Sequence, residues 1–392
     1  MATICISVLL VGGLSFAQES DSNSGRFDYS KDYISLTDSD EDPEPVTDPT
    51  EKTPLDTTII KDKVTKGEWV VAPVPSYNPS QEWGLALIAQ KIFAHKSSQK
   101  PSVLAAGLFG TEKKSYGGIV AYMGRLREDR LRLNVFGGYA KVNSDFYGIG
   151  KDQSEKDTSV LLEQKYSFLT IQFLPKWGSV YLGPSLTYLD ISNRFDISGL
   201  PDTVDPSDKL DSTSYVPGLK FQMDTRDNTF YPKQGYLTNL SGQFYDSRWG
   251  GGHTFQNYRG NHNMYFHMWD ENVLAARVAF QINEGDVPFY NLAVFGQGPD
   301  LRGYKAGKYR DKDLWATQAE FRQRFTDHIG VAYFAGVGDV IPSLSDLSLD
   351  DLLWAGGVGF RYRLGARNPI DFRIDVAYGD EWAWYFAVNQ AF

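Results

Sequence analysis

From Asp371 to Phe392 the chain runs through two stretches of alternating side chains joined by Gly379, Asp380 and Glu381. In the first, Phe372, Ile374, Val376 and Tyr378 alternate with Asp371, Arg373 and Asp375. In the second, Trp382, Trp384, Phe386, Val388 and Phe392 alternate with Ala383, Tyr385, Ala387, Asn389 and Ala391. Successive strand side chains point to opposite faces, so the pattern specifies a hairpin with one apolar face and one polar or small face. The apolar face either lines the core of a soluble sheet or, with aromatics at the ends of membrane-length strands, faces lipid.

Composition narrows that choice. Aromatics make up 14% of the 392 residues, and there are 37 Gly. This favours an all-β chain rich in turns. Beyond the first seventeen residues no apolar run reaches the length of a membrane helix. If the chain spans a membrane it must do so as a closed barrel, because only helices and closed barrels satisfy every backbone group in lipid.

Residues 1–17 read as a secretory signal: Ile4 to Phe16 is mostly apolar, Ser15-Phe16-Ala17 fits small-x-small cleavage, and no Lys or Arg precedes the apolar stretch. The only cysteine, Cys5, lies within it. A cysteine-free mature chain has no disulfide, thiolate metal site or cysteine nucleophile. Residues 18–66 form a separate region. Between 19 and 66 lie 13 Asp/Glu and 6 Lys/Arg, a net of −7 within the chain's −10. Such a segment buries too little apolar surface to offset its ordering entropy and is expected to be a disordered acidic tail. The alternative is a docking arm for a periplasmic protein.

Residues 67–392 read as strand, turn, strand. Candidate strands lie at 82–94, 102–111, 115–125, 129–141, 158–173, 177–190, 213–225, 235–247, 254–268, 272–283, 288–296, 313–326, 328–337, 352–364, 369–378 and 382–392. Most have the roughly 9–11 residues that a tilted crossing needs. Between Leu314 and Thr326, Trp315, Thr317, Ala319, Phe321 and Phe325 share one face; Gln318, Glu320, Arg322 and Arg324 share the other. Val358, Phe360, Tyr362 and Leu364 oppose Gly359, Arg361 and Arg363 in the same way. Charged rows suit a wet or ion-paired lumen, and a soluble sandwich could also solvate them. The secretion signal, the apolar final strand and the lack of helices to cover a sheet favour a sixteen-strand antiparallel transmembrane β-barrel. Its even strand number puts both termini on the periplasmic side.

The most specific local signal is the segment from Phe295 to Arg310, whose glycines and proline interrupt any strand. At its centre Leu301-Arg302-Gly303-Tyr304 presents an Arg between flexible joints. The following strand carries Glu320 on its polar face. A loop folded into the barrel would set the Arg302 fork against that carboxylate; otherwise Arg302 is a solvated residue on an exposed loop.

Leu301-Arg302-Gly303-Tyr304 followed by Gln318-Ala319-Glu320-Phe321-Arg322 resembles the bacterial surface antigen barrel, the C-terminal domain of the outer-membrane assembly proteins BamA and TamA. The resemblance implies a sixteen-strand barrel with its sixth loop tucked inside and an Arg302–Glu320 pair. Asp224, Arg226, Asp227, Pro232 and Gly235 resemble the family's periplasmic turn, with Asp224 and Arg226 expected on one strand face and Pro232 and Gly235 supplying turn geometry. Phe146-Tyr147-Gly148-Ile149-Gly150 resembles a loop entry of short members. The terminal strand with Phe386, Val388 and Phe392 resembles the signal that the barrel-assembly machinery recognises. Two features depart from the family. Its POTRA modules have no counterpart in the acidic residues before the barrel. Gly336 stands where a second acidic partner of Arg302 is expected, with Asp339 out of phase by three residues. This leaves Arg302 with Glu320 alone, or with Asp371 or Asp375 across the lumen.

Catalytic signals are weak. His95, His253, His262, His267 and His328 have no metal-ligand spacing, and no Gly-x-Ser-x-Gly elbow occurs. The expectation is therefore a non-enzyme without cofactor or metal. The acid-rich loops at 202–211 and 346–351 read as solvated or, alternatively, cation-binding. The negative net charge and lack of a basic cluster argue against nucleic acid. The partners implied are outer-membrane lipid and the barrel-assembly machinery. The functions implied are membrane-protein or lipid insertion, or protein translocation, through a weakly closed seam between the strands at 82–94 and 382–392. The alternatives are a passive pore or structural barrel plugged by the Arg302 loop, and a partner-binding barrel.

Overall fold

The two-residue period of the C-terminal hairpin recurs along the chain, and each long strand pairs with its sequence neighbours. The computed structural model describes residues 69–93, 102–156, 158–195, 211–228, 231–296, 301–363, 371–388 and 390–392. The signal segment and the acidic tail lie outside these residues. The strands are β1 (Trp69–Asn78), β2 (Glu82–Phe93), β3 (Ser102–Thr111), β4 (Tyr116–Leu126), β5 (Leu131–Phe146) and β6 (Val160–Trp177). Then follow β7 (Val180–Phe195), β8 (Asp211–Asp224), β9 (Gly235–Tyr245), β10 (Phe255–His267) and β11 (Val273–Gly285). The two-residue strands β12 (Ala293–Val294) and β13 (Arg310–Asp311) form a ribbon of their own. The wall resumes with β14 (Asp313–Arg324), β15 (Ile329–Ile341), β16 (Leu353–Arg363), β17 (Asp371–Tyr378) and β18 (Trp382–Val388). Sixteen strands close into an antiparallel barrel in chain order, β14 following β11 and β18 meeting β1. One short helix, α1 (Lys151–Glu155), lies in the β5–β6 connection.

The barrel is inside-out relative to a soluble protein. Leu85, Leu108, Val120, Leu169, Leu219 and Val358 are exposed on the outer wall, while Gln90, Gln164, Asn257, Asn283, Glu320 and Arg322 are buried within. Exposed Trp69, Trp177, Trp269 and Phe325 ring the end where β1 begins and β18 finishes. Exposed Trp83, Tyr116, Trp354 and Trp382 ring the far end. An apolar band between two aromatic girdles is the surface of a lipid-facing barrel, and its extent exceeds what a monomer leaves in water.

The expected count of sixteen is met through two compensating differences. The run 288–296 is not a wall strand: Pro288 precedes a 3-10 turn at Phe289–Asn291, and only β12 follows. The wall instead gains β1, which the sequence reading omits. The seam accordingly lies between β1 and β18, not between 82–94 and 382–392. Several strands also run past their expected ends at the far side, notably β5 to Phe146 and β7 to Phe195.

Candidate functional site

The connection from β11 to β14 folds back over the lumen. Its stem is the β12–β13 ribbon, pairing Ala293 with Asp311 and Val294 with Arg310, and Phe295 N–H donates to the Tyr309 carbonyl at 2.9 Å. Leu301 and Tyr304 are buried with Phe295, Tyr309, Leu314, Val340 and Leu353. The Tyr304 ring stands edge-on to Phe295, centroids 5.1 Å apart, and its hydroxyl donates to the Trp354 carbonyl at 2.7 Å. Gly303 has φ 111°, and a Cβ there would lie 2.8 Å from the Gly379 nitrogen. Only glycine fits a loop that passes so close to the β17–β18 turn.

These contacts aim Arg302 at the wall. One terminal nitrogen donates to Glu320 at 2.6 Å on β14 and the other to Asp375 at 2.7 Å on β17. The guanidinium carbon lies 3.4 Å from the centroid of Phe334. Glu320 also receives Arg322 at 2.8 Å, and Asp375 also receives Arg361 at 2.5 Å and Arg373 at 2.9 Å. Glu320 and Asp375 are fully buried, and breaking such a pair typically costs about 3–5 kcal/mol, because the remaining charge keeps its desolvation penalty. Gly336 has a packing role: a Cβ would come 2.6 Å from Leu301 Cδ1, so its bare backbone admits the loop. The second carboxylate comes from Asp375. Asp371 does not reach Arg302; it pairs with Arg324 at 2.7 Å and Arg363 at 3.5 Å.

The loop also ties together both flanks of the seam at the far end. Gly303 N–H donates to the Tyr385 hydroxyl on β18 at 2.8 Å, and Asp380 N–H donates to the Gly303 carbonyl at 3.2 Å. Lys308 pairs with Asp380 at 2.6 Å. On the other flank, Ala306 N–H donates to Ser80 Oγ in the β1–β2 turn at 2.5 Å. Gly150, at the end of the Phe146–Gly150 segment, donates its N–H to the Arg310 carbonyl at 2.8 Å.

Below this clamp the seam is short. β1 pairs with β2 from Trp69↔Lys91 to Asn78↔Glu82, but among the described residues it registers with β18 only at Tyr77↔Phe386. The cause can be read from backbone direction. Glu112 N–H donates to the Trp83 carbonyl at 2.9 Å, and Trp83 N–H donates to the Glu112 carboxylate at 3.1 Å, so Trp83 faces β3. Backbone groups alternate in direction along a strand. Even-numbered β2 residues therefore face β1, and their partners there, such as Ser76 and Val74, are even-numbered too. The odd-numbered residues Pro73, Pro75 and Tyr77 face β18. Proline has no N–H, so two successive donors are missing from the seam edge.

β18 withdraws from the same stretch. It ends at Val388, and continuing the Tyr77↔Phe386 register would set Pro73 opposite Gln390. Instead Gln390 turns inward, accepting from Arg361 Nε at 3.1 Å and donating to Asp371. The Phe392 backbone oxygen accepts from Arg322 at 2.7 Å, and its ring packs beside Tyr231 and Tyr265. Phe392 is therefore a lumenal residue, not half of the seam as the sequence suggests. Phe386 is half-buried in β18, and the Val388 backbone pairs with Phe372.

At the terminal end, the β8–β9 turn closes around its own charges. Asp224 and Arg226 do not share a strand face, since β8 stops at Asp224; Arg226 folds back as a fork, at 2.9 and 3.0 Å. Asp227 accepts the N–H groups of Asn228, Lys233 and Gln234. Pro232 is buried, and Gly235, with φ 93°, passes against the Thr225 carbonyl. Tyr231 lies under Arg324 and Arg363, 5.1 and 4.7 Å from their guanidinium carbons, which joins this turn to the lumenal network.

The family model of the Omp85 superfamily domain matches residues 113–392, most of the barrel. The chain belongs to the Omp85 superfamily. Among solved structures, this Omp85 barrel is similar to BamA from Haemophilus ducreyi lacking POTRA domains 1-3, at 12% identity and TM-score 0.58, over 82% of this chain and 70% of that one. It is also similar to CdiB from Escherichia coli, at 10% identity and TM-score 0.56, and to CdiB from Acinetobacter baumannii, at 10% and 0.53. Each match covers 82% of this chain, with 63% and 59% of the respective CdiB chains. At these identities the likeness is one of fold. No curated protein matches the sequence.

Of the expected site residues, the Omp85 barrel brings Arg302, Glu320 and Asp375 together and holds Asp371 one layer lower with Gln390. Sequence reasoning missed Phe334, Arg361, Gln390 and Tyr385 as members of the cluster. The phase of Arg361 on a lumenal face was the available signal for one of them. Nothing local to Tyr385 or Gln390 marks their contacts, which depend on barrel closure.

Proposed function

We propose that this chain works in the outer membrane of a Gram-negative bacterium, inserting membrane proteins or lipid, or passing protein across that membrane, by opening the β1–β18 seam from its terminal end. The observation that carries this reading is the edge of β1, where Pro73 and Pro75 withhold donors from β18 beside an inward-turned terminus. An unsatisfied backbone group in hydrocarbon costs several kcal/mol. The bilayer beside such an edge is perturbed, and a substrate strand or lipid headgroup that supplies partners is favoured there. The clamp at Ser80 and Asp380 makes the far end the hinge. The mechanism is strand exchange without bond chemistry, and the partners are lipid and nascent barrel segments, with the assembly machinery acting on the chain itself. The fold shared with BamA and CdiB supports this class of activity.

Tyr77→Cys with Phe386→Cys tests it. Cross-strand partners sit about 4.5–5.5 Å apart, within disulfide range. The oxidised protein should lose insertion or translocation in proteoliposomes and regain it on reduction; equal activity in both states rejects a lateral opening. A second reading, a plugged pore, is favoured by the burial of Arg302 within the lumen. It requires that Arg302→Ala raise planar-bilayer conductance, and unchanged conductance removes it.

A further inference from the structure

The lumen holds a second basic region, apart from the Arg302 network. A cavity of about 170 Å3 lies between the inward faces of β6, β7, β9, β10 and β11 and the folded-back loop. Arg259 and Arg310 line it with the amides of Gln243, Gln281 and Asn291, and no Asp or Glu is among its lining residues.

Arg310 is the unusual member. Buried Arg132, Arg302, Arg322, Arg361 and Arg363 each meet a carboxylate, and buried Arg277 donates to the Asn263 amide oxygen at 2.8 Å. Arg310 is just as buried, at 2% exposure, and among the described residues no carboxylate pairs with it. Its Nε has no hydrogen-bond partner. Its guanidinium carbon rests 4.9 Å from the centroid of Phe146. The backbone cannot easily carry it elsewhere, because Arg310 pairs with Val294 in the ribbon and accepts the Gly150 N–H. A buried charge without a counter-charge is strongly destabilising. A planar fork with open N–H groups, beside side-chain amides and a second guanidinium, is the arrangement that holds carboxylate or phosphate oxygens. One water needs about 10–15 Å3 of such volume, so the cavity has room for an ion of phosphate or dicarboxylate size.

We propose that this cavity is a binding site for a small oxyanion, with Arg310 as the principal ligand and Arg259 as the second. The site is independent of the seam: the anion completes the packing between the folded-back loop and the β6–β11 wall.

The test is calorimetric titration of the full folded chain in detergent with inorganic phosphate and, separately, with succinate, at constant ionic strength set by chloride. Saturable binding of either ion is expected, at least tenfold weaker in Arg310→Gln, with Arg310→Lys between the two because it keeps the charge and loses the fork. Thermal unfolding supplies a second readout. The bound ion should raise the Tm of the wild-type barrel and leave that of Arg310→Gln unchanged, and in chloride alone Arg310→Gln should be no less stable than wild type. Absence of saturable binding of both ions, equal binding by wild type and Arg310→Gln, or failure of both Arg310 variants to fold would each overturn the proposal, the last by marking Arg310 as a structural member only.

Discussion

Of the places where the wall ladder lapses beside prolines, the β6–β7 pair and the seam end differently. Between β6 and β7 the pairing lapses from Gln172↔Ser185 to Lys176↔Tyr181. Lys176 N–H donates to Arg130 on the β5 side, so Pro175 faces β7, and by the same alternation Pro184 faces β6. The ladder nevertheless resumes, because the turn at Gly178 joins the two strands just beyond the gap. At the seam, Pro73 and Pro75 face β18 in the same way, but no turn lies beyond them. The strands that meet there come from opposite ends of the sequence, and the last residues of β18's chain are held inside by Arg361 and Arg322. The same missing donors give a local flaw where a covalent hairpin spans the gap and an open edge where nothing does.

The loop clamp sets how far that edge can part, and the largest effect is expected there. Glu320→Ala strips a buried carboxylate from Arg302 and Arg322 and should cost about 3–5 kcal/mol, measured by urea unfolding in detergent. A loss below 1 kcal/mol would mean that the network does not hold the seam's far end. Gly303→Ala should cost about 1–3 kcal/mol from backbone strain and detach the loop from Asp380. Proteolysis between Phe295 and Arg310 should rise, and unchanged resistance would uncouple the loop from the clamp. The smallest change in stability comes from restoring the seam donors. Pro73→Val with Pro75→Val adds up to two hydrogen bonds worth about 0.5–1.5 kcal/mol each. This variant should be more stable and less active. The matching change at Pro175 in β6 should alter stability by a similar amount and leave activity intact, whereas equal loss of activity from both would erase the distinction between gap and gate.

Much of the fold was legible because alternation needs no tertiary information: in β14 and β16 the lumenal phase of Glu320, Arg322, Arg361 and Arg363 follows from their spacing alone. β1 was hidden by the feature that matters most about it, since Pro73 and Pro75 read as evidence against a strand. The run 288–296 misled for the opposite reason. Phe289, Leu292 and Phe295 are apolar because they pack beneath the loop and inside the lumen, and a one-dimensional pattern does not separate that from a lipid face. The Arg302–Glu320 contact was reachable from a loop and the strand that follows it. Asp371 and Asp375 were both open as further partners, and choosing Asp375 required closing the barrel, which brings that part of β17 level with Glu320 on β14.

Amide hydrogen exchange of the folded protein, read by mass spectrometry on peptides from β1, β18, β6 and β7, tests the central claim most directly. Val71, Tyr77 and the β18 amides should exchange by local opening well before Leu162–Gln172 of β6, and the Pro73→Val, Pro75→Val variant should slow the β1 and β18 peptides alone. Equal protection of the seam and the β6 wall in the wild-type barrel would contradict the account.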